Sequence, residues 1–120
     1  MSYVDGYLIP VPEGKLDAYR EMAEKMAPLF KEWGATRVVE TVEEDCPPGK
    51  QNDFHTAVLG KDGEKTIFSW IEWPDKATRD KGIEAAMKDP RFLTAMEIMP
   101  VEGSRMIFGG FESIVEAAWE

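Results

Sequence analysis

Apolar side chains occupy both faces of a predicted strand at residues 67–73. Successive side chains of a strand point to opposite sides of a sheet. One side therefore carries Ile67, Ser69 and Ile71, and the other carries Phe68, Trp70 and Glu72. In a small domain of helices and an antiparallel sheet, the helices cover one face. An apolar second face therefore indicates a further partner.

The same reading predicts the remaining elements. Strands are predicted at residues 3–11, 36–43, 65–73 and 105–115. Apolar residues recur at spacings of three and four between residues 15 and 33, which indicates a helix that we expect Pro28 to kink or break. Asp75 is predicted to cap a second helix that ends at Asp89, before a proline, and a short helical piece is expected at 91–96. Residues 54–59 fit either a helical turn or a short strand, and the turn-rich residues 44–53 are expected to form a long surface loop.

The order strand, helix, strand, strand, helix, strand predicts one α+β domain over residues 1–120 with the ferredoxin-like βαββαβ fold. Both helices would then lie on one face of a four-stranded antiparallel sheet. The opposite face is expected to be bare and to present Asp5, Tyr7, Phe68, Trp70, Glu72, Met106 and Phe108. Pairing of this face with a second copy would bury its aromatic rings and form a homodimeric α/β barrel with an interior cavity. Gly109 and Gly110 leave the register of the last strand open, because a bulge there would exchange its two faces.

Composition narrows the classes of partner. The net charge of −9 opposes binding to phosphate backbones or anionic lipids, so we expect neither nucleic acid nor membranes as partners. Cys46 is the single cysteine and has no partner for a disulfide within the chain. No signal-like segment or membrane-length apolar run is recognised, and a cytoplasmic location is expected.

Several separated segments resemble a known family. They are YVDGYLIPVP, DAYREMAEKMAPLFKEWGA, FSWIEWP, DPR and MPVEGSRMIFGGFE. Together they span nearly the whole chain and resemble the YbaA-like family of small bacterial proteins, a family of unknown function. The resemblance implies a ferredoxin-like fold of the dimeric α/β barrel type. It implies no catalytic residues, and a shared fold does not by itself transfer a function.

Asp5 and Glu72 are the first candidates for chemistry because both are predicted on the buried sheet face. A carboxylate with a raised pKa inside an aromatic cavity is a common general acid or base, and Tyr7 could donate a hydrogen bond beside it. The alternative is a structural ion pair with Arg37 or Arg105, which is the more common situation for a buried carboxylate.

His55 is the only histidine, and Asp53 stands two residues before it, so this pair could form a carboxylate-oriented general base. The alternative is an ordinary histidine in a surface loop. Candidate ligand contacts are Phe68, Trp70, Phe108 and Arg37, although such aromatic clusters more often form interface cores. We expect no metal, because one histidine with scattered carboxylates does not make a site, and no cofactor is expected.

Two functions remain open from the sequence. The first is a homodimer that binds a small, partly apolar ligand between sheet and helices, with proton transfer or cofactor-free oxidation as its chemistry. The second is a non-catalytic, stress-related or protein-interaction module whose aromatic sheet face serves only dimerisation. RNA binding through an aromatic sheet ranks last, because the charge is acidic and no basic-aromatic strand motif is present.

Overall fold

The computed structural model describes residues 2–119. The strands are β1 (Tyr3–Pro12), β2 (Arg37–Val42), β3 (Glu64–Trp73) and β4 (Ile107–Glu112). The helices are α1 (Leu16–Glu32), α2 (Phe54–Ala57), α3 (Lys76–Ala86) and α4 (Pro90–Glu97). This order confirms the ferredoxin-like βαββαβ fold and adds two short helices, α2 and α4. Within the described residues, no helix is long and apolar enough to cross a membrane.

The four strands form one antiparallel sheet in the order β2-β3-β1-β4. The central pair sets the register, with Tyr7 opposite Ser69 and Ile9 opposite Ile67. The ladder between β1 and β4 continues without interruption through Gly109. The open register of the last strand is thereby settled, and the paired glycines do not form a bulge.

Of these glycines, Gly110 is required by a close approach, whereas a Cβ atom at Gly109 would make only an ordinary contact. A Cβ atom on Gly109 would lie 3.6 Å from the ring of Phe111, and one on Gly6 would lie 3.8 Å from it. A Cβ atom on Gly110 would collide with the ring of Tyr3 and approach Arg79 to 2.9 Å. Glycine in a strand marks such close approaches.

The helices cover the side of the sheet that carries the most buried residues. This side contains Ile9 and Val11 from β1 and Ile67 from β3, all less than 5% exposed. Tyr19 from α1 packs into the same cluster and is 4% exposed. Helix α1 is continuous through Pro28, so of the two predicted alternatives the break into two pieces is wrong, and the kink stays a prediction.

The open face consists of the side chains on the other side of the pleat, and its predicted composition is partly wrong. Phe68, Trp70 and Glu72 lie on it as expected. Asp5 and Tyr7 do not, because they share the pleat of Ile9 and therefore face the helices. The strand register puts the following residues on the open face: Val4, Gly6, Leu8, Arg37, Val39, Thr41, Thr66, Phe68, Trp70, Glu72, Ile107, Gly109 and Phe111.

The prediction that Met106 and Phe108 lie on the open face is also wrong. Phe108 pairs with Tyr7 in the ladder, and the two rings stack with their centroids 6.3 Å apart. Phe108 therefore belongs to the helix side of β4, where it is 71% exposed. Met106, which precedes this strand, also lines the helix side.

One end of the open face is covered within the chain itself. The ring of Phe54 in α2 lies 5.9 Å from that of Phe68, and Val58 just after this helix is 1% exposed. Asp53 begins the helix by accepting a hydrogen bond from the backbone N–H of Thr56 at 2.7 Å. The bare face predicted from the sequence is thus bare over only part of its length.

A buried ion pair joins α3 to the centre of the sheet. Both carboxylate oxygens of Asp5 accept hydrogen bonds from Arg79, at distances of 2.7–3.1 Å. The indole N–H of Trp73 donates to the same carboxylate at 2.9 Å. The side chain of Asp5 is 6% exposed, and the guanidinium of Arg79 also lies 5.1 Å from the centre of the Tyr3 ring. Each oxygen of this carboxylate is hydrogen bonded, so burial of its charge is compensated.

Replacing Arg79 tests the importance of this pair for stability. In Arg79→Met, Asp5 would keep a buried charge without its cation, and we expect the free energy of unfolding to fall by about 3 kcal/mol. Urea denaturation at neutral pH and fixed protein concentration measures the change. Arg20→Met is the matched control, because Arg20 makes only an exposed ion pair with Glu24 and should change stability by less than about 0.5 kcal/mol. Equal effects of the two substitutions would contradict a structural role for the buried pair.

Candidate functional site

A cavity of about 110 Å³ lies between α1, α4 and the helix side of the sheet. We call it the inner cavity. Its lining is mostly apolar and includes five methionines. The lining residues are Tyr7, Ile9, Tyr19, Met22, Ala23, Met26, Ala27, Phe30, Val38, Glu40, Ser69, Ile71, Phe92, Met96, Met99 and Met106. Methionine side chains are flexible and polarisable, so they form a wall that adapts to the shape of a ligand.

The polar side chains of the inner cavity come from three strands and one helix. Tyr7 is on β1, Glu40 on β2, Ser69 on β3 and Tyr19 on α1. The hydroxyl of Tyr19 donates a hydrogen bond to Oε1 of Glu40 at 2.7 Å. Ser69 is 3% exposed and stands opposite Tyr7 in the β1–β3 ladder and opposite Glu40 in the β2–β3 ladder. The sheet register therefore brings these groups together.

Burial governs the protonation of this cluster. It raises the pKa of Glu40, and the hydrogen bond from Tyr19 acts in the opposite direction by stabilising the carboxylate. Burial also raises the pKa of Tyr7 and of Tyr19, and neighbouring carboxylates raise both further. The two phenols therefore keep their protons and remain hydrogen-bond donors.

A second depression runs along the outside of α1 beside strand β2. This outer groove has a volume of about 480 Å³. Its lining residues are Leu16, Asp17, Tyr19, Arg20, Ala23, Glu24, Ala27, Val38, Glu40, Thr41, Val42 and Ile67. Tyr19, Ala23, Ala27, Val38 and Glu40 line both spaces. The hydrogen-bonded pair of Tyr19 and Glu40 thus stands in the wall between the outer groove and the inner cavity.

The predicted site residues divide between the two sides of the sheet. Tyr7 lines the inner cavity, whereas Asp5 is occupied by Arg79 and Trp73. Glu72 lies on the open face, where it accepts a hydrogen bond from the indole N–H of Trp70 at 2.9 Å. The structure does not bring Asp5, Tyr7 and Glu72 together in one place.

Arg37 also lies on the open face, 3.6 Å from the carboxylate of Glu72. This is the structural ion pair that the sequence left open as an alternative for Glu72. The pair is partly exposed, with 65% of the Arg37 side chain accessible. Phe68 and Trp70 line a shallow depression on this face together with Phe54, away from the inner cavity.

His55 is the second residue of α2, and its ring packs against the backbone of Gly60, where a Cβ atom would lie 2.6 Å from it. Asp53 does not orient this ring through its carboxylate. One of its oxygens accepts from Thr56 and the other from the backbone N–H of Gly49 at 3.1 Å. Within residues 2–119, no group of three or more His, Cys, Asp or Glu side chains is arranged to hold a metal ion.

Comparison with known sequences identifies the family. A family model described as a protein of unknown function (DUF1428) matches residues 2–103. Over 116 residues the chain is 53% identical to the uncharacterized protein YbaA of Escherichia coli K12. This alignment covers 97% of this chain and 99% of the relative. The chain belongs to this family. YbaA of Shigella flexneri matches with the same identity and coverage.

Solved structures with the same fold are distant from this DUF1428 chain in sequence. SnoaB, a cofactor-independent oxygenase from Streptomyces nogalater, aligns with a TM-score of 0.63 at 13% identity, over 96% of this chain and 95% of that one. A dimeric ferredoxin-like protein from an uncultured marine organism aligns with a TM-score of 0.61 at 12% identity, over 98% of this chain and 100% of that one. At these identities the likeness shows the fold alone.

Glu40, Tyr19 and Ser69 are the cavity residues that sequence reasoning missed. Glu40 had a visible signal, because it stands between Val38 and Val42 on the face of β2 that points toward the helices. A carboxylate on an apolar face marks a position that needs a partner or a function. Tyr19 was read only as one more member of the apolar stripe of α1, since a phenol hydroxyl does not disturb that pattern.

Removing the hydroxyl of Tyr19 tests the electrostatics of the cluster. In Tyr19→Phe, Glu40 loses the donor that stabilises its charged form, so we expect the pKa of Glu40 to rise further above its usual range. A carboxyl ¹³C NMR titration from acid to neutral pH measures this value. Tyr3→Phe is the control, because Tyr3 lies beside Arg79 and away from the cavity. An unchanged or lowered pKa of Glu40 in Tyr19→Phe would show that the hydrogen bond does not hold the carboxylate.

Proposed function

We propose that the chain forms a homodimer through its open face and binds a small, partly apolar ligand in the inner cavity. The observation that carries the ligand-binding proposal is the hydrogen bond between Tyr19 and Glu40 in a wall otherwise built of methionine and aromatic side chains. Ligand sites are mostly apolar spaces with a few convergent polar groups. The site lies between helices and sheet, on the side of the sheet opposite the proposed dimer interface.

Two features of the inner cavity support a resident ligand. An apolar cavity of about 150 Å³ holds benzene. The inner cavity, at about 110 Å³, is smaller, and a shift of its flexible methionine side chains would admit a single ring. The side chain of Glu40 remains accessible to solvent on the edge strand β2, while its carboxylate lines the cavity and burial raises its pKa. A polar group at the rim of an apolar space can contact both solvent and a ligand.

The composition of the open face supports the homodimer. Phe68 on β3 and Ile107 and Phe111 on β4 are between 44% and 64% exposed. Leu8 of β1 lies between Phe68 and Ile107, so the apolar surface runs across three strands. An apolar patch that spans several strands is a typical protein interface. The structurally similar protein from a marine organism is described as dimeric, which agrees with this proposal. The oxygenase SnoaB shows that this fold can act on a substrate without a cofactor, but we carry no reaction over from it.

A charge introduced at Phe68, beside the part of the open face that α2 covers, tests the homodimer. We expect the wild-type chain to be dimeric at micromolar concentration in light scattering and Phe68→Glu to be monomeric, because a buried unpaired carboxylate opposes association. Met87→Glu is the control, since Met87 is 56% exposed on the surface just after α3. Circular dichroism checks that both variants are folded. A monomeric wild-type chain, or a Phe68→Glu variant that stays dimeric, would refute this interface.

The ligand site is tested with toluene as a neutral one-ring probe and with methionine methyl groups labelled with ¹³C. We expect toluene to shift the methyl signals of Met22, Met26 and Met99 but not that of Met87, which lies outside the cavity. Ala27→Leu should remove these shifts, because it fills the wall between cavity and groove. Ala85→Leu on the exposed side of α3 is the matched control. Shifts that are absent in the wild type, or that persist unchanged in Ala27→Leu, would refute the cavity as the site.

A further inference from the structure

The described lining of the inner cavity carries one carboxyl group, that of Glu40, and no cation. Glu40 is its only ionisable carboxylate, and none of the described lining residues is Lys, Arg or His. Since the chain as a whole has a net charge of −9, an anionic ligand would enter against both the local and the overall field. We therefore expect carboxylates and phosphates to bind poorly at this site.

The carboxylate of Glu40 has one oxygen engaged by the protein. Tyr19 donates to Oε1, and Oε2 is the oxygen that remains for a second donor. A ligand hydroxyl that donates to this oxygen would form a charge-assisted hydrogen bond, which is shorter and stronger than a bond between neutral groups. A hydroxyl supplies such a donor without bringing a charge into a mostly apolar cavity, whereas an ammonium group would also lose its hydration there.

The rest of the wall favours a flat ring. Phe30, Phe92 and Tyr7 present aromatic surface to the cavity. The five methionine sulfurs add the contacts that such atoms make with the edges of aromatic rings. A volume of about 110 Å³ limits the buried portion of the ligand to about one ring.

The position of Glu40 also indicates the path by which a ligand would enter the inner cavity. Glu40, Tyr19 and Ala27 line both the outer groove and the inner cavity. The small side chains of Ala23 and Ala27 on α1 separate the outer groove from the inner cavity at this point. A ligand that lies in the outer groove therefore meets the carboxylate first, before its ring reaches the methionines.

We propose that the inner cavity binds a neutral aromatic hydroxy compound, a phenol, which enters from the outer groove and donates its hydroxyl proton in a hydrogen bond to Oε2 of Glu40. The proposal rests on the ligand-binding function of the same cavity and adds the chemical class of the ligand. Glu40 selects by accepting a hydrogen bond, and the methionines and aromatic rings hold the ring of the ligand.

The test compares one-ring probes on the wild-type chain through the ¹³C methyl signals of the cavity methionines. The probes are phenol, anisole, toluene, benzoate and benzylamine. Anisole is phenol with its hydroxyl hydrogen replaced by a methyl group, so it keeps the ring and oxygen but has no donor. We expect phenol to bind roughly tenfold or more tighter than anisole and toluene, and benzoate to cause no shift.

Glu40→Leu then locates the acceptor. We expect the affinity for phenol to fall roughly tenfold or more and that for toluene to stay the same. Glu24→Leu is the control, because Glu24 lines the outer groove but not the inner cavity. Loss of the methionine signal dispersion would reveal a misfolded variant, and the comparison of phenol with anisole on the wild type remains decisive in that case.

The outcomes separate this proposal from the ligand-binding function that it rests on. Toluene binding without any preference for phenol would refute the phenol proposal and leave the cavity as a ligand site. Tighter binding of benzylamine or benzoate than of phenol would also refute it, in favour of a cation or an anion. The absence of shifts with every probe would refute both proposals.

Discussion

The register between strands β1 and β3 is the constraint on which the rest of the structure depends. Tyr7 opposite Ser69 places two polar residues on the helix side, between the pair of Ile9 with Ile67 and the pair of Asp5 with Ile71. The side-chain period of a strand is two, so a slip of one residue would exchange every side chain between the faces. This register places the residues of the inner cavity on the helix side and those of the open face on the other side. Burial of the helix side alone is what fixes it.

Two carboxylates on the helix side show how the same fold treats charge in two ways. Asp5 receives a bidentate Arg79 and the indole of Trp73, so its hydrogen-bonding capacity serves the attachment of α3. Glu40 receives one neutral donor, Tyr19, and faces open space. A satisfied buried charge is structural, whereas a partly satisfied one beside a cavity retains capacity for a ligand.

The two sides of the sheet separate association from ligand binding. The polar cluster and methionine wall lie under α1 and α4, and the exposed aromatic surface lies on the other side of the same strands. Alternating residues of β3 serve both, with Ser69 in the cavity and Phe68 on the open face. Changes on one face can therefore be made without altering side chains of the other, although both rest on one ladder of hydrogen bonds.

Local pattern was sufficient for most of the fold. The apolar stripe of α1, the turn before β3 and the cap at Asp75 are properties of neighbouring residues, and each was predictable from them. The continuity of α1 through Pro28 was not predictable from local pattern. The straight passage of β4 through Gly109 was not predictable either, because it depends on the pairing of β4 with β1, which is distant in the chain.

The sequence by itself determined the order of the elements, the acidic charge and the presence of an apolar second face, since these follow from residue type and local spacing. Only the tertiary structure decided which face Asp5 and Tyr7 occupy, and that Glu40 meets Tyr19. The partner that makes a charge on a strand tolerable lies far away in the chain: Arg79 is 74 residues from Asp5, and Tyr19 is 21 residues from Glu40. The alternation along a strand shows which side chains point the same way. Contacts across the folded chain decide whether those side chains face the helices or the open side of the sheet.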